Sequence, residues 1–411
     1  MNYGCIGERL GHSFSKEIHN LIYGYEYELC EVRREELDTF MTKPNFCAIN
    51  VTIPYKEAVI PYMHCIDESA SSIGAINTVV NRDGRLYGYN TDFYGMQMLI
   101  ERVGVDLLDK KVVILGTGGT SRTAMAVARG AGAREILRVS RAERADAISY
   151  SELYASHTDA DVIINTTPVG TFPNISHTPI RLDGFGKLKG VIDVVYNPLR
   201  TELISRAREL NVPAESGLYM LVAQAVRASE IFLDKKYPDA KVDEVYEKVF
   251  KSKENIVLIG MPSSGKSTVG ALLAERLGRR FVDTDILVRE RAGMEIPEIF
   301  ERYGEAHFRE LEAEAVKEAS LHTSLVVATG GGVPMRPENV RALKQNGRIF
   351  FLDRPLENLL PTSDRPLTST KDSLVKIYNQ RYGIYQSAAD TVIDASGDAE
   401  SVALRIEGSI K

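Results

Sequence analysis

Four short, β-branched apolar runs punctuate the middle third of the chain: Val112–Leu115, Ile136–Val139, Val162–Ile164 and Val191–Val195. Between the first two lies a helix-like stretch, Ser121–Ala131, with Ala124, Val127 and Ala128 on one face and Gly130 and Gly132 as stop signals. Short strands alternating with helices predict right-handed βαβ crossovers and a parallel sheet. A charge-dense stretch follows, DKKYPDAKVDEVYEKVFKSKEN, yet Val242, Val245, Tyr246, Val249 and Phe250 repeat within it at helical spacing. That pattern predicts an amphipathic helix closing the first unit, with KSKEN as the best hinge candidate. A second parallel unit opens with a buried strand at Ile256–Ile259 and a helix lined by Val269, Leu272, Leu273 and Leu277. Gly278 stops that helix, because a left-handed cap suits glycine. Ser324–Ala328 and Ile349–Leu352 read as further strands, and no internal repeat is visible.

Composition narrows the classes. A chain of 411 residues calls for two or three units, and 44% apolar with 26% charged residues are globular values. A net charge of −6 argues against a nucleic-acid partner. No apolar run approaches the roughly 20 residues that span a bilayer, so no membrane role is expected. Glu8 and Arg9 stand where a signal peptide needs apolar residues. Cys5, Cys30, Cys47 and Cys65 lack CxxC spacing and read as free thiols of a reducing compartment rather than a disulfide framework. A cytoplasmic multi-domain protein is expected.

The most specific motif is Gly260-Met-Pro-Ser-Ser-Gly265-Lys266-Ser267, a match to G-x-x-x-x-G-K-[ST], followed by Thr268. It lies between an apolar strand and an amphipathic helix, where backbone N–H groups can turn inward around phosphate oxygens. Lys266 would reach the terminal phosphates and the Ser267 hydroxyl would bind Mg²⁺. Asp283 and Asp285 share one side if their segment is extended, and could hold metal water and a substrate hydroxyl or merely a solvated strand end. No NKxD follows, which disfavours a switch GTPase.

Upstream, Gly116-Thr-Gly118-Gly119-Thr-Ser follows a strand and opens a helix, the placement a dinucleotide pyrophosphate needs. The next strand ends in Ser140-Arg141, with Arg144 beyond and no carboxylate for a ribose hydroxyl; the two arginines suit a 2′-phosphate and favour NADP over NAD. Taken singly, Lys56 reads as an exposed strand-end lysine, and the polar clusters around it as turn chemistry.

In combination these motifs resemble two families. Residues 254–411 are similar to shikimate kinase through GMPSSGKST, FVDTD, EIPEIFERYGEAHFRELE, Gly330-Gly331-Gly332, Asp364-Arg365-Pro366-Leu367 and Arg381. The resemblance implies ATP and Mg²⁺ on the phosphate loop. It also implies shikimate on Asp285, Arg309, the glycine triplet and Arg381, with Arg309 at the carboxylate. Asp283 would orient the metal shell or the attacking hydroxyl, and Arg365 would stabilise the transferring phosphoryl group from a lid. One departure is the lid segment Arg354–Arg365, which is short and has Asn358-Leu359-Leu360 where that family often has an arginine that stacks on adenine.

Residues 1–250 resemble shikimate dehydrogenase. The motifs are His12-Ser13-Phe14-Ser15, Asn50-Val51-Thr52-Ile53-Pro54-Tyr55-Lys56, Gly74-Ala75-Ile76-Asn77-Thr78 and Gly88-Tyr89-Asn90-Thr91-Asp92. Asn165-Thr-Thr-Pro168-Val-Gly170, Asp193-Val-Val-Tyr196-Asn197-Pro198 and Gly217–Ala225 complete the set. The family implies an α/β substrate domain over 1–95 with a returning helix near 217–250, a Rossmann NADP domain over 96–215, and then the P-loop kinase domain with its parallel sheet over 254–411. Ser13, Ser15 and Thr52 would hold the substrate carboxylate and hydroxyls; Asn77, Asp92 and Gln224 would take ring hydroxyls, with Tyr196 nearby.

Hydride arriving at a ketone carbon leaves charge on its oxygen, which needs a cation and a proton. Lys56 can supply both, and Asp92 can orient it. The expected protein is a bifunctional enzyme that reduces 3-dehydroshikimate with NADPH and phosphorylates shikimate with ATP. Two rivals keep part of this reading: a dehydrogenase that prefers quinate or NAD, and a C-terminal half that senses nucleotide without transferring phosphate. Arg141 and Arg144 count against the first; Asp283, Asp285, Arg309, Arg365 and Arg381 count against the second. The seven histidines show no metal spacing.

Overall fold

A computed structural model describes residues 1–10, 14–22, 25–360 and 370–410. The chain divides into two compact units, Met1–Phe250 and Lys251–Lys411.

The first unit holds two six-stranded sheets. One is mixed, in the order Tyr27–Glu31, Tyr3–Gly7, Ala48–Val51, Thr78–Arg82, Arg85–Tyr89, Cys65–Ile66. The other is parallel throughout, in the order Ala214–Glu215, Gly190–Asp193, Val162–Asn165, Lys111–Leu115, Glu135–Ser140, Ile148–Ser149. Its apolar runs supply opposite faces in alternation. Val112, Ile114, Ile164 and Ile192 join one core cluster, whereas Val113, Leu115, Ile163 and Val191 join another. That two-sided burial is why these strands are apolar without a break. Strand order reverses between Lys111–Leu115 and Val162–Asn165, which opens a crevice beyond their carboxyl ends. Helices Thr91–Val103 and Leu218–Leu233 share a core with the helix Gly119–Gly130 and tie the two sheets together.

Three of the predicted boundaries shift for local reasons. The helix after the glycine loop buries Ala124, Val127 and Ala128 as its spacing requires, but starts at Gly119. The Val191–Val195 run leaves the sheet at Asp193, whose Oδ1 accepts the Val195 N–H at 3.0 Å and turns the chain. KSKEN begins where the second unit begins, at Lys251, but its first three residues are helical. The helix Lys241–Lys253 continues through its lysines, which favour a helix C-terminus, and the next strand begins at Asn255.

Asp193 is fully buried. Its carboxylate accepts from Asn165 Nδ2 at 2.9 Å and from the Thr201 hydroxyl at 2.7 Å. Burial nevertheless pushes its pKa up to about 7, against those hydrogen bonds. An acid raised in the folded state binds its proton where the unfolded chain has lost it. Its contribution to stability is therefore greatest below about pH 4, falls between about pH 4 and pH 7, and is constant above. Asp193→Asn should remove that slope. The variant's stability relative to the parent should improve by roughly 3–4 kcal/mol between pH 4 and pH 8, read from denaturant midpoints. An unchanged difference at the two pH values would show that the group keeps an ordinary carboxyl pKa.

The second unit is a five-stranded parallel sheet in the order Arg280–Asp283, Leu325–Ala328, Asn255–Ile259, Gly347–Asp353, Thr391–Asp394. Alternate residues of the central strand again feed two cores, Ile256 and Leu258 into one and Val257 and Ile259 into the other. The phosphate-loop motif joins this strand to the helix Lys266–Leu277, which ends at Gly278 with φ +62°. Because all strands are parallel, their carboxyl ends deliver Asp283, the glycine triplet and Arg354 to the rim that carries the loop.

Candidate active sites

In the first unit the predicted polar residues converge. Ser15, Thr52, Lys56, Asn77, Asp92, Tyr196 and Gln224 line one cleft of about 180 Å³; Ser13 lies outside the described residues. Lys56 sits where the strand Ala48–Val51 gives way to a turn. Its flanks are pinned, since the buried Tyr55 hydroxyl donates to Val32 O at 2.5 Å and Ile76 N donates to Lys56 O at 2.8 Å. Asp92 stands in the first turn of the helix Thr91–Val103, where the helix dipole favours a carboxylate, and Asn90 caps that helix. The two oxygens of Asp92 are divided: Oδ2 accepts Lys56 Nζ at 2.6 Å and Oδ1 accepts Asn77 Nδ2 at 2.9 Å. Lys56 remains 29% exposed and Asp92 15%, so the pair is shielded yet reachable. Gln224 Nε2 donates to Leu221 O at 2.9 Å, while its Oε1 accepts from Thr91 at 3.3 Å.

Behind the cleft, Asn50 accepts from the Tyr27 hydroxyl at 2.6 Å and donates to Thr78 Oγ1 at 3.2 Å. His19 stacks on Tyr27 at 3.9 Å and is fully buried. Burial pulls its pKa down to about 3, so it stays neutral and serves as a packing group.

The glycine loop borders the same cleft through Thr120. Gly116 has φ +106°, and a Cβ there would stand 2.9 Å from Thr166 Oγ1. Cβ atoms on Gly118 or Gly119 would meet nothing within 4 Å. The loop is thus tight at its base and open above the helix N-terminus, which fits a pyrophosphate. Ser140 Oγ accepts from Ala142 N at 3.2 Å, and Arg141 is exposed with no ion pair among the described residues. Arg144 is engaged instead: its Nε donates to Asp146 Oδ1 at 3.1 Å, and Arg138 also pairs with Asp146. A phosphate at this edge would meet Arg141 directly and would compete with Asp146 for Arg144.

In the second unit the buried Lys266 Nζ donates to Gly260 O at 3.0 Å and Met261 O at 2.8 Å, across the loop it belongs to. Gly265 has φ +92° and precedes the helix whose first turn carries Ser267 and Thr268. Ser267 Oγ donates to Asp283 Oδ2 at 2.6 Å. A hydroxyl beside a carboxylate at a phosphate loop is an oxygen set that suits Mg²⁺, which keeps several waters and takes its remaining ligands from phosphates. Asp283 also caps the next helix by accepting Asp285 N at 2.9 Å.

Arg309, Glu312, Asp285 and Gly330–Gly332 form a second cluster beside the loop. Arg309 and Glu312 are three apart on one helical face. Arg309 Nη1 donates to Glu312 Oε2 at 2.9 Å, and Nη2 to Glu305 Oε1 at 3.0 Å. A Cβ on Gly332 would stand 1.8 Å from Arg309 Nη1, and one on Gly330 2.5 Å from Asp285 Oδ1. A side chain at either position would have to push the Arg309 guanidinium or the Asp285 carboxylate aside, so the glycines leave both groups where they stand. Arg381 Nη1 and the Tyr385 hydroxyl both donate to Gly331 O, at 3.0 and 2.6 Å. Arg365 lies outside the described residues.

Comparison with known proteins decides the families. Residues 5–79 match the shikimate dehydrogenase substrate binding domain, and residues 262–411 match shikimate kinase. The NADP(+) shikimate dehydrogenase of Clostridium perfringens (strain SM101) is 35% identical over 265 residues, 60% of this chain and 97% of that protein. The chain belongs to the shikimate dehydrogenase family. A shikimate dehydrogenase from Peptoclostridium difficile is similar in structure, with TM-score 0.55 and 34% identity over 61% of this chain and 98% of that one. A chorismate mutase/shikimate 5-dehydrogenase fusion protein from Clostridium acetobutylicum matches with TM-score 0.56 and 36% identity, over 60% of this chain and 96% of that one. These relatives cover the first unit; the second carries the shikimate kinase domain.

For a shikimate dehydrogenase joined to a kinase domain, two site residues escaped the sequence reading. Glu312 is 1% exposed, its Oε1 has no hydrogen-bond partner among the described residues, and burial raises its pKa although Arg309 lowers it. It closes the stretch EIPEIFERYGEAHFRELE that carried the kinase resemblance, three residues after Arg309, but was given no role. Arg354 adjoins the phosphate loop; the sequence marked it only as the start of the lid segment, with no role of its own.

Proposed function

We propose that the first unit reduces 3-dehydroshikimate to shikimate and that the second phosphorylates the 3-hydroxyl of shikimate, both in the cytoplasm. The observation that carries this reading is the Lys56–Asp92 pair, split between two partners at 2.6 and 2.9 Å, in a cleft that the glycine loop also borders. NADPH, when bound, supplies the hydride.

Lys56 gives its Nζ proton to the carbonyl oxygen as charge develops there, and regains one from solvent. Asp92 Oδ2 orients the amine, while Asn77 keeps Oδ1 turned away from Lys56. Ser15, Thr52, Asn77 and Gln224 hold the carboxylate and hydroxyls of the ring, a reading supported by their lining the same cleft as Lys56. Arg141 reads the cofactor's 2′-phosphate, which supports NADP over NAD.

In the kinase unit, Arg309 and Arg381 hold the carboxylate of shikimate. Asp285 accepts the hydrogen bond of the hydroxyl that attacks, and Glu312 offers its unpaired Oε1 to a second hydroxyl. Lys266 turns from its loop carbonyls to the phosphates. Mg²⁺ near Ser267 and Asp283 would neutralise charge on the phosphates. Arg365 of the lid takes part in the same stabilisation, which is most of what phosphoryl transfer requires.

The test is sequential. The full chain is given 3-dehydroshikimate and NADPH, then ATP and Mg²⁺, with NADPH loss and ADP appearance followed separately. Equal, consecutive consumption is expected. NADPH loss with no ADP would reduce the reading to one activity.

A further inference from the structure

We propose that Arg354 is a second cation for the triphosphate of ATP, placed outside the phosphate loop opposite Lys266; the inference rests on the kinase reading above. The strand Gly347–Asp353 pairs with the central strand in a register that sets Phe351 beside Ile259. Two further residues therefore carry the chain alongside the start of the loop before Arg354 begins. Its Nη1 stands 3.9 Å from where a Cβ on Gly265 would be. Its Nε is buried without an acceptor, and no hydrogen bond or ion pair engages Arg354 among the described residues.

A guanidinium with a buried, unpaired N–H is costly unless an anion completes it. The backbone beside it is the one whose N–H groups turn toward phosphate oxygens. Lys266 serves the loop from inside, held by Gly260 O and Met261 O. Arg354 reaches the loop from the neighbouring strand, so phosphate oxygens on that flank would be met by a separate donor with planar geometry. The segment that carries it is tied down. Ser263 Oγ donates to Leu360 O at 2.7 Å, and Asn358 N donates to Pro355 O at 2.9 Å. In the stretch RPLENLL, residues 354–360, Arg354 is the only basic residue.

The experiment compares the parent chain with Arg354→Ala and Arg354→Lys, measuring KM for ATP, KM for shikimate, and competitive inhibition by inorganic tripolyphosphate and by adenosine. For Arg354→Ala, ATP and tripolyphosphate should both weaken by about 10- to 100-fold, with adenosine and shikimate unchanged. Arg354→Lys should recover part of the loss, because it restores the charge without the planar fork. Unchanged tripolyphosphate inhibition would overturn the proposal. So would a loss confined to adenosine, which would mark a base contact, or a parallel rise in the shikimate KM, which would mark a structural role. If the parent makes no ADP from shikimate, the kinase reading fails first, and calorimetric titration of ATP and tripolyphosphate into the same three proteins still decides Arg354.

Discussion

Lys56→Ala should lower the turnover of 3-dehydroshikimate by about 10²–10⁴-fold, the usual range for loss of a positioned proton donor, with little change in KM. The asymmetry follows from geometry. In the proposed reading the substrate carboxylate and hydroxyls fall to Ser15, Thr52, Asn77 and Gln224, which line the same cleft and which the substitution does not touch. Charge appears on the carbonyl oxygen only as hydride arrives, so the ammonium acts mainly in the transition state. The alanine variant keeps its buried neighbour Tyr55 and the Ile76 N–H to backbone O contact, so the turn should survive. Steady-state NADPH oxidation measures the effect, and ADP formation from added shikimate should remain at the parent rate. Near-parent turnover would remove Lys56 from the chemistry.

Lys266→Ala should cost phosphoryl transfer about 10²–10³-fold, comparable to deleting one strong donor to a developing oxyanion. Lys266 is 6% exposed, and its ammonium is the partner of two loop carbonyls. Removing it therefore withdraws charge from the phosphates and leaves Gly260 O and Met261 O without that donor. The second consequence could loosen the loop, so the melting temperature of the variant is measured alongside. NADPH oxidation should be unaffected. ADP release from shikimate and ATP at the parent rate, in a folded variant, would exclude the loop as the transfer site and favour a nucleotide-sensing role.

How much of this could be read from residues alone differs between the sheets. The inner strands of the two parallel sheets were visible because both of their faces are covered, so they are apolar runs bounded by glycine and helix signals; the short, partly exposed edge strands Ile148–Ser149, Ala214–Glu215 and Thr391–Asp394 were not. The mixed sheet was not visible by pattern. Tyr27–Glu31 alternates poorly, with Leu29 36% exposed, and Tyr3–Gly7 contains two glycines and a cysteine. Those strands are specified by their neighbours rather than by their own period. Resemblance supplied that sheet's place, and with it Lys56, which looked ordinary by itself.

The candidate sites divide in the same way. Phosphate loops are local: glycine backbone, helix N-terminus and lysine all fall within eight residues, so their chemistry is written in one stretch. Arg144 shows the limit of such reading, because a neighbouring arginine pair suggested a phosphate clamp while Asp146, two residues on, already engages one of them. Glu312 shows another. Nothing in its local stretch reveals that burial leaves one oxygen unpaired beside Asp285 and the glycine triplet.

From its residues the chain declared two α/β units, a dinucleotide turn, a nucleoside-triphosphate loop and the basic and acidic groups suited to each, since backbone conformation and burial period are short-range properties. Only the folded arrangement decided that Asp92 divides its oxygens between Lys56 and Asn77, that Gly332 leaves room for Arg309, and that Arg354 stands at the loop's flank. Such contacts join residues far apart in the chain, and their distances follow from sheet register and packing, which no local stretch encodes.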